Sequence, residues 1–476
     1  MAREKKVLNV VDGSRSITAT ILLLAWPVLV EQIFTTLVSY ADTAMVGSLG
    51  KVATAAVSIS NPVIMLLNGI VMALGVGITA LVARAVGAGD KGRVSQLIKH
   101  AIMAIIILGV PITVIIACLS RLIPMWMGAE PDVLNTATTY NLIVSGGRIF
   151  AITSMMLNSA FRGYGDTKTP LYVNTAMNVI NVILNFFLIY PTRTITLFGR
   201  FSFTMWGAGL EVAGAAIATA VGMAFAGCAT LWVAFSKRNQ FHVERRTSWK
   251  LDVPMTKQIL KISFPAMLER ILMSSSGIFT TSSIATLGTA VVAANSLCLT
   301  AESMSFMPAF AFQTAITTLV GQSLGANRPD LAVKYVRKTL LLGSLLMVLT
   351  SIGLFVLSHQ LIGIFTPDAE VIRIGGECMK VVAFMQVPQV IMWTFSGVLR
   401  GGGDTKFNFY ITAGANWLIR TPFSILAVRA WGMGLFEVQI VTLIEILVMM
   451  TCLYLRYRSG RWKTIMLEEE QKLAER

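Results

Sequence analysis

Several stretches of this chain run for roughly 20 residues with at most one ionisable group, and no other property narrows the possible folds as far. A helix of that length crosses a hydrocarbon core of about 30 Å. In lipid every backbone N–H and C=O must bond within the chain, so segments this long and apolar are predicted to be helices. The clearest cores are Ile102–Leu119, Val179–Tyr190, Leu210–Ser236 and Leu340–Leu357. Of 476 residues 55% are hydrophobic and only 13% charged, with mean hydropathy +0.70; a soluble domain carries about a quarter charged residues. The predicted class is an all-α polytopic membrane protein. Its twelve spans are expected near 17–41, 53–80, 93–118, 133–158, 169–191, 207–236, 257–286, 290–318, 331–357, 371–397, 407–429 and 435–456. The first apolar run passes signal-peptide length into Asp42 without an Ala-x-Ala pattern, so no cleaved leader is expected. Cys118, Cys228, Cys298, Cys378 and Cys452 are scattered through apolar stretches and read as small buried hydrophobes, not disulfides or ligands.

A net charge of +15 invites a nucleic-acid reading, but its distribution argues for membrane topology instead. With both termini on one side of twelve spans, that side collects about 29 of the 39 Lys and Arg, against about five on the other. The rich side holds Arg84–Lys99, Lys237–Lys261, Arg328–Lys338 and the tail from Arg456; the poor side holds Lys51, Arg121, Arg193, Arg200 and Arg429. This is the positive-inside pattern, so both termini are expected in the cytoplasm of a multi-pass inner-membrane protein, facing anionic lipid. No nucleic-acid partner is expected.

The chain also repeats itself at one fixed offset. Pro27–Glu31 recurs as Pro265–Glu269, Ser48–Gly50 as Thr286–Gly288, Ile78–Ala88 as Ile316–Ala326, and Arg162–Lys168 as Arg400–Lys406, each pair separated by the same interval. A later pair, Trp206–Leu210 and Trp431–Leu435, sits at a shorter interval, so the first copy carries about 13 extra residues between its fifth and sixth helices. Six helices per copy is an even number, so both copies enter from the same side and are related by an axis along the membrane normal, as in transporters that rock two bundles about a central site. The expected organisation is an N-lobe over 1–236, a cytoplasmic linker over 237–257, a C-lobe over 258–456 and a cytoplasmic tail over 457–476.

Two six-helix halves, Asp42-Thr43 closing the first helix, the paired Arg-Gly-x-Gly-Asp-Thr-Lys loops, and Leu81-Val82 with Gly87-Ala88 and their copy resemble the multidrug and toxic compound extrusion (MATE) family over residues 17–456. The resemblance implies a secondary antiporter for multidrug or xenobiotic efflux. It would export organic, often cationic, compounds in exchange for inward H⁺ or Na⁺. Composition and periodicity alone indicate only a two-lobed, transporter-like protein.

An ionisable group at membrane depth costs at least about 2.5 kcal/mol on insertion scales, so each one needs a reason. Glu31 and Asp42 share a face of the first helix about 16 Å apart along the axis. They line a cavity, or Asp42 caps the helix end in water and Glu31 makes an interhelical bond. Asn174, Asn178, Asn181 and Asn185 form one amide stripe along the fifth helix, either as interhelical glue or as cavity lining. The resemblance favours Asp42 as the proton or cation site and sets the fifth helix opposite the first. Na⁺, a hard cation wanting several oxygens, would sit at Asp42 and Asn178.

The second copy keeps Glu269 and adds Arg270 and Glu302. Burial favours the neutral form of a carboxyl, which makes both glutamates proton acceptors, with Arg270 opposing the effect. The resemblance ties the seventh-helix glutamate to proton coupling and cationic substrate. Where some branches carry a tenth-helix carboxylate, Gln386 and Gln389 stand here, and Thr280 replaces Asp42 in the second copy, so the coupling site is expected to be asymmetric. Met304, Met307, Met385 and Met392 suit a promiscuous pocket or plain core filling. Arg162, Asp166, Arg400 and Asp404 mark glycine turns whose Asp caps the next helix, or cytoplasmic gating contacts. His100, His242 and His359 are isolated and no phosphate-binding loop is present, so neither an enzyme nor an ATP-driven pump is expected, and no cofactor beyond the coupling ion. The protein is expected to act as a monomer on a small organic substrate. Two other readings stay open: a lipid-linked precursor flippase, which would carry about fourteen spans and a more cationic cleft, and a channel or non-transporting scaffold.

Overall fold

The structure, a computed structural model, describes residues 15–59, 61–197, 201–236, 249 and 252–466. Among them run twelve helical rods. In the first copy these are α1 (Ile17–Gly47), α2 (Lys51–Gly87, in the stretches Lys51–Ser58 and Asn61–Gly87), α3 (Lys91–Cys118), α4 (Pro131–Tyr164), α5 (Lys168–Leu188) and α6 (Glu211–Phe235). In the second they are α7 (Val253–Ile284), α8 (Thr289–Gly325), α9 (Pro329–Val356), α10 (Ala369–Gly401), α11 (405–429) and α12 (Leu435–Arg458). Ten are long and apolar enough to cross a membrane. The other two are α7, which carries Lys257, Lys261, Glu269 and Arg270, and α11, which a π-helical turn at Ala415–Arg420 divides. A hairpin of β1 (Pro191–Leu197) and β2 (Phe201–Ala208), with Arg193 opposite Met205, fills the interval where the first copy has its extra residues.

Two sequence expectations are corrected in detail. Asp42-Thr43 does not close the first helix: Thr43 Oγ1 donates back to the Ser39 carbonyl at 2.8 Å, a bond made inside a continuing helix, and α1 runs on to Gly47. Asp42 is therefore not a solvent cap. Of the linker expected at 237–257, residues 237–248, 250 and 251 lie outside the described residues, and α7 already begins at Val253. The stretches 1–14 and 467–476 of the expected lobe and tail also lie outside them.

The outer surfaces are what a hydrocarbon solvent requires. On α9, Leu341, Leu345, Leu349 and Ile352 form one exposed stripe at helical spacing, while Tyr335, Val336, Thr339, Gly343 and Met347 are buried on another face. Interior packing repeats between copies. α4 packs on α2 and α6 as α10 packs on α8 and α12, and α1 packs on α5 as α7 packs on α11.

Three helix pairs carry most of the contact between the copies: α1 with α8, α7 with α2, and α2 with α8. The first two are an exchange. The start of α1 buries Ile21, Leu24 and Val28 in a cluster with α8, α9 and α10, and the start of α7 buries Ile259 and Ile262 in the cluster of α2, α3 and α4. In the register of the repeat, Ile21 and Leu24 hold the places of Ile259 and Ile262.

The third contact closes the end of the molecule that carries the basic loops. A Cβ at Gly87 would overlap the backbone of Gln322, and one at Gly325 the backbone of Arg84. These two glycines occupy the same place in the two copies, and they let α2 and α8 touch backbone to backbone. Thr318 Oγ1 donates to the Arg162 carbonyl at 2.9 Å and Gln322 Nε2 to the Gly163 carbonyl at 3.1 Å. The segment that follows α12 lies over the same region. Trp462, fully buried in the cluster of α1, α8, α9 and α10, presses its carbonyl against Gly402; Met466 covers Gly403 and is buried in the other cluster, with α2, α3, α4 and the start of α7.

Gly87→Ala and Gly325→Ala are each expected to destabilise the protein by about 1–3 kcal/mol through overpacking. Gly353→Ala, in an open part of α9, should be neutral or stabilise by about 0.5–1 kcal/mol. Thermal unfolding in detergent checks this; a Gly87→Ala protein as stable as its parent would rule out the close crossing.

Candidate functional site

Polar side chains of α1 and α5 meet at a constant register. Glu31 pairs with Asn174, Thr35 with Asn178 and Asp42 with Asn185, always 143 residues apart, because both helices repeat the spacing i, i+4, i+11 on one face. Glu31 Oε1 accepts from Asn174 Nδ2 at 2.6 Å and from Arg162 Nη2 at 2.7 Å. Thr35 Oγ1 accepts from Asn178 Nδ2 at 3.4 Å, and Asp42 Oδ1 accepts from Asn185 Nδ2 at 2.6 Å. With its nitrogen toward Asp42, the Asn181 amide donates to both carboxylate oxygens at 2.9 and 3.0 Å, and its oxygen accepts from Thr219 at 3.3 Å. The amide stripe is thus interhelical glue and an acid-binding row at once. Asp42 has amide partners and no ion pair among the described residues, and the Asn185 Oδ1 beside it is a buried acceptor with no donor.

The second copy repeats only part of this. Glu269 Oε1 accepts from Arg400 Nη2 at 2.9 Å, the counterpart of the Glu31–Arg162 pair, and Oε2 accepts from Asn408 Nδ2 at 2.9 Å. Further along, Ser276 meets Thr421 at 2.7 Å, and Thr280, at the position of Asp42, leaves its hydroxyl without a partner. The arginines of the repeated loops therefore end helices and reach inward to the glutamates. Asp166 caps α5 as expected, accepting from Lys168 N at 3.1 Å and Thr169 N at 3.0 Å. Asp404 does not cap α11; it accepts from Arg456 Nε at 2.7 Å instead.

Between the two copies, inside the closed end, lies a cavity of about 450 Å³. Its walls carry Glu31, Asn68, Arg148, Arg162, Asn174, Arg270 and Arg400 among Met72, Met155, Met177, Met223 and Phe310. Glu31 thus faces an opening and is not sealed away. Arg148, 3% exposed, donates from Nη1 to Asn68 Oδ1 at 3.1 Å. Arg270 has no hydrogen bond or ion pair among the described residues.

A second cavity of about 710 Å³ lies mainly in the second copy and holds Glu302, Gln389, Arg420 and Glu445 with Phe306, Met392 and Trp393. Gln389 Nε2 donates to Glu302 Oε1 at 3.5 Å, and Arg420 stands 3.8 Å from Glu445. Gln386 is buried apart from it, accepting from Ser305 at 2.5 Å. Of the four methionines singled out, Met392 lines this cavity, Met307 and Met385 are core, and Met304 is exposed. The structure thus places Asp42, Glu31 and Glu302 in three separate surroundings.

Sequence reading missed Asn68, Arg148, Asn408, Arg420 and Glu445. For the charged three a signal existed: each is an ionisable residue within an apolar span, and such a residue marks a functional site by default. Asn68 and Asn408 carried none, since a single amide in a span has no distinctive spacing.

Comparison with known proteins bears on this arrangement. The MatE family profile matches residues 27–187 and 265–426, two segments whose starts are separated by the interval of the internal repeat. A probable multidrug resistance protein, NorM of Thermotoga maritima, is 30% identical over 93% of this chain and 92% of its own length. An outward-facing multidrug resistance MATE transporter of the MOP superfamily superposes with TM-score 0.84 at 22% identity, covering 94% of this chain and 97% of that one. A MOP superfamily transporter from Pyrococcus furiosus, described as having a binding pocket of reverse polarity, does so with TM-score 0.83 at 22% identity, covering 95% and 97%.

The Glu31–Arg162 pair yields a double-mutant test. Removing one member of a buried pair costs about 3–5 kcal/mol because the other charge is stranded, whereas an apolar replacement of both is far cheaper. Thermal unfolding should show Glu31→Leu/Arg162→Met more stable than Glu31→Leu alone; additive losses would mean that the pair is not coupled.

Proposed function

This chain belongs to the MatE family, a multi-pass membrane transporter and not an enzyme, and on that premise we propose that it is a secondary antiporter. It exports organic compounds in exchange for H⁺ or Na⁺. Residues 1–236 and 258–456 act as two lobes that rock about the central cavity, with both termini in the cytoplasm, so the basic loops face the cell interior. In that orientation the end closed at Gly87 and Gly325 is cytoplasmic, and the arrangement is the outward-directed one of the alternating cycle. Multidrug resistance proteins among its relatives support the efflux reading.

The observation that carries the coupling assignment is the isolation of Asp42. Glu31 and Glu269 are each held by an arginine, whereas Asp42 meets only amides and lies next to the orphaned oxygen of Asn185. A proton needs one carboxylate without a cation beside it. Na⁺ needs several oxygens, which Asp42, Asn185, Asn178 and Thr35 can supply. Ion binding there would neutralise Asp42, loosen its grip on Asn181 and Asn185, and so release α1 against α5. The α1–α5 zipper is then the element through which the ion acts on the lobe, and Glu31, on the same zipper, carries the change to the central cavity. A lipid-linked precursor flippase stays in view because four arginines face the central cavity; twelve helices instead of about fourteen oppose it.

Vesicles containing the purified protein and a loaded dye, given first a pH gradient and then a Na⁺ gradient, identify the ion. Asp42→Asn should reduce gradient-driven efflux at least tenfold while leaving the protein folded; undiminished efflux in this variant would remove Asp42 from the mechanism.

A further inference from the structure

The central cavity holds more positive charge than its own carboxylates offset. Arg148, Arg162, Arg270 and Arg400 line it, against Glu31 and, behind Arg400, Glu269. Arg162 and Arg400 are matched by those two glutamates. Among the described residues Arg148 bonds only the neutral Asn68, and Arg270 has no carboxylate within ion-pair distance, since its neighbour Glu269, whose charge it feels, is paired with Arg400. The buried Nε groups of Arg148, Arg162 and Arg400 all lack an acceptor. A guanidinium drawn out of water without a paired carboxylate is costly, so the buried Arg148 and the half-buried Arg270 lining one cavity call for an anion to complete the site.

The repeat shows that the fold does not need these charges. In its register the position of Arg148 corresponds to Gln386 of the second copy, and that of Arg270 to Gln32 of the first. In each case the other copy fills the same place in its bundle with a neutral amide. The positive charges are thus additions to the architecture, one from each copy, and both line the same cavity.

We infer that the central cavity binds an organic anion, its carboxylate, sulfonate or phosphate held between Arg148 and Arg270 and its apolar body against Met72, Met155 and Phe310. The planar guanidinium fork suits such oxyanions, which a lysine would hold only as a point charge. The site is opposite in sign to one built for organic cations. Moving a monoanion out of a cell whose interior is negative is also electrically downhill, by about 2.3 kcal/mol per 100 mV. The inference rests on the efflux reading only for what happens after binding, since the site itself is defined by charge.

Two xanthene dyes of similar body and opposite charge separate these questions. Carboxyfluorescein and rhodamine 123 are titrated into the purified full-length protein, and each is then loaded into vesicles carrying it. Carboxyfluorescein should bind at least tenfold more tightly than rhodamine 123. Arg148→Gln and Arg270→Gln, each installing the residue of the other copy, should weaken it about tenfold or more with melting curves close to the parent. Equal or tighter binding of rhodamine 123, or full carboxyfluorescein affinity in both folded variants, overturns the proposal. Transport of rhodamine 123 with no binding of carboxyfluorescein would leave efflux standing and remove the anion site. Arginine-dependent binding of carboxyfluorescein without transport of either dye would do the reverse. Repeating the titration with and without phosphatidylglycerol distinguishes the source: competition that vanishes in the arginine variants identifies a lipid headgroup as the anion, and its absence a free solute.

Discussion

Two glutamates lie buried at corresponding depths of the two bundles, and they are tolerable there only because each is met by a guanidinium and an amide. Glu31 takes Arg162 and Asn174; Glu269 takes Arg400 and Asn408. Each pair ties the first helix of its copy to the end of the fourth and to the fifth. The glycine that follows each arginine, Gly163 or Gly401, lets the same helix end press on the backbone of Thr79 or Thr317. The repeated sequence motifs are therefore one three-helix junction built twice, and the closed end of the molecule is assembled from its two copies.

Against that shared frame, the copies differ in charge at several positions within the bundles. In the register of the repeat Asp42 corresponds to Thr280, Arg148 to Gln386, Arg270 to Gln32, and Glu302 to Ile64. A position held the same in both copies serves the architecture; one that differs in charge is free to serve a ligand. This separates an acidic locus on the α1–α5 zipper from a basic one between the lobes. The coupling and anion-site proposals rest on this difference in charge.

The spans and the repeat were legible in the sequence because both rest on local properties: hydropathy over a span-length window and motif recurrence at one offset. So was the asparagine stripe, whose spacing alone places Asn174, Asn178, Asn181 and Asn185 on one face. The partners were not legible. Arg162 lies far along the chain from Glu31, and the loop around it reads first as a glycine turn. The end of α1 was misplaced because Asp-Thr, a capping pair in water, bonds here within the helix and across to α5. Arg148 and Arg420 were visible as charges inside apolar spans, but no periodicity links them to other polar residues, and only the packing of helices brings them to cavities.

The turns that follow α12 add something that helix packing alone would not. Trp462 is rooted in one apolar cluster and Met466, a few positions on, in the other. If the seam at this end parts, the short stretch between them cannot follow both. One side chain must come out into water, forfeiting about 1.5–3 kcal/mol, which tilts a two-state balance by one to two powers of ten. The turns from Gly460 to Met466 are in effect a spring across the joint, and its hold favours the arrangement in which this end is shut.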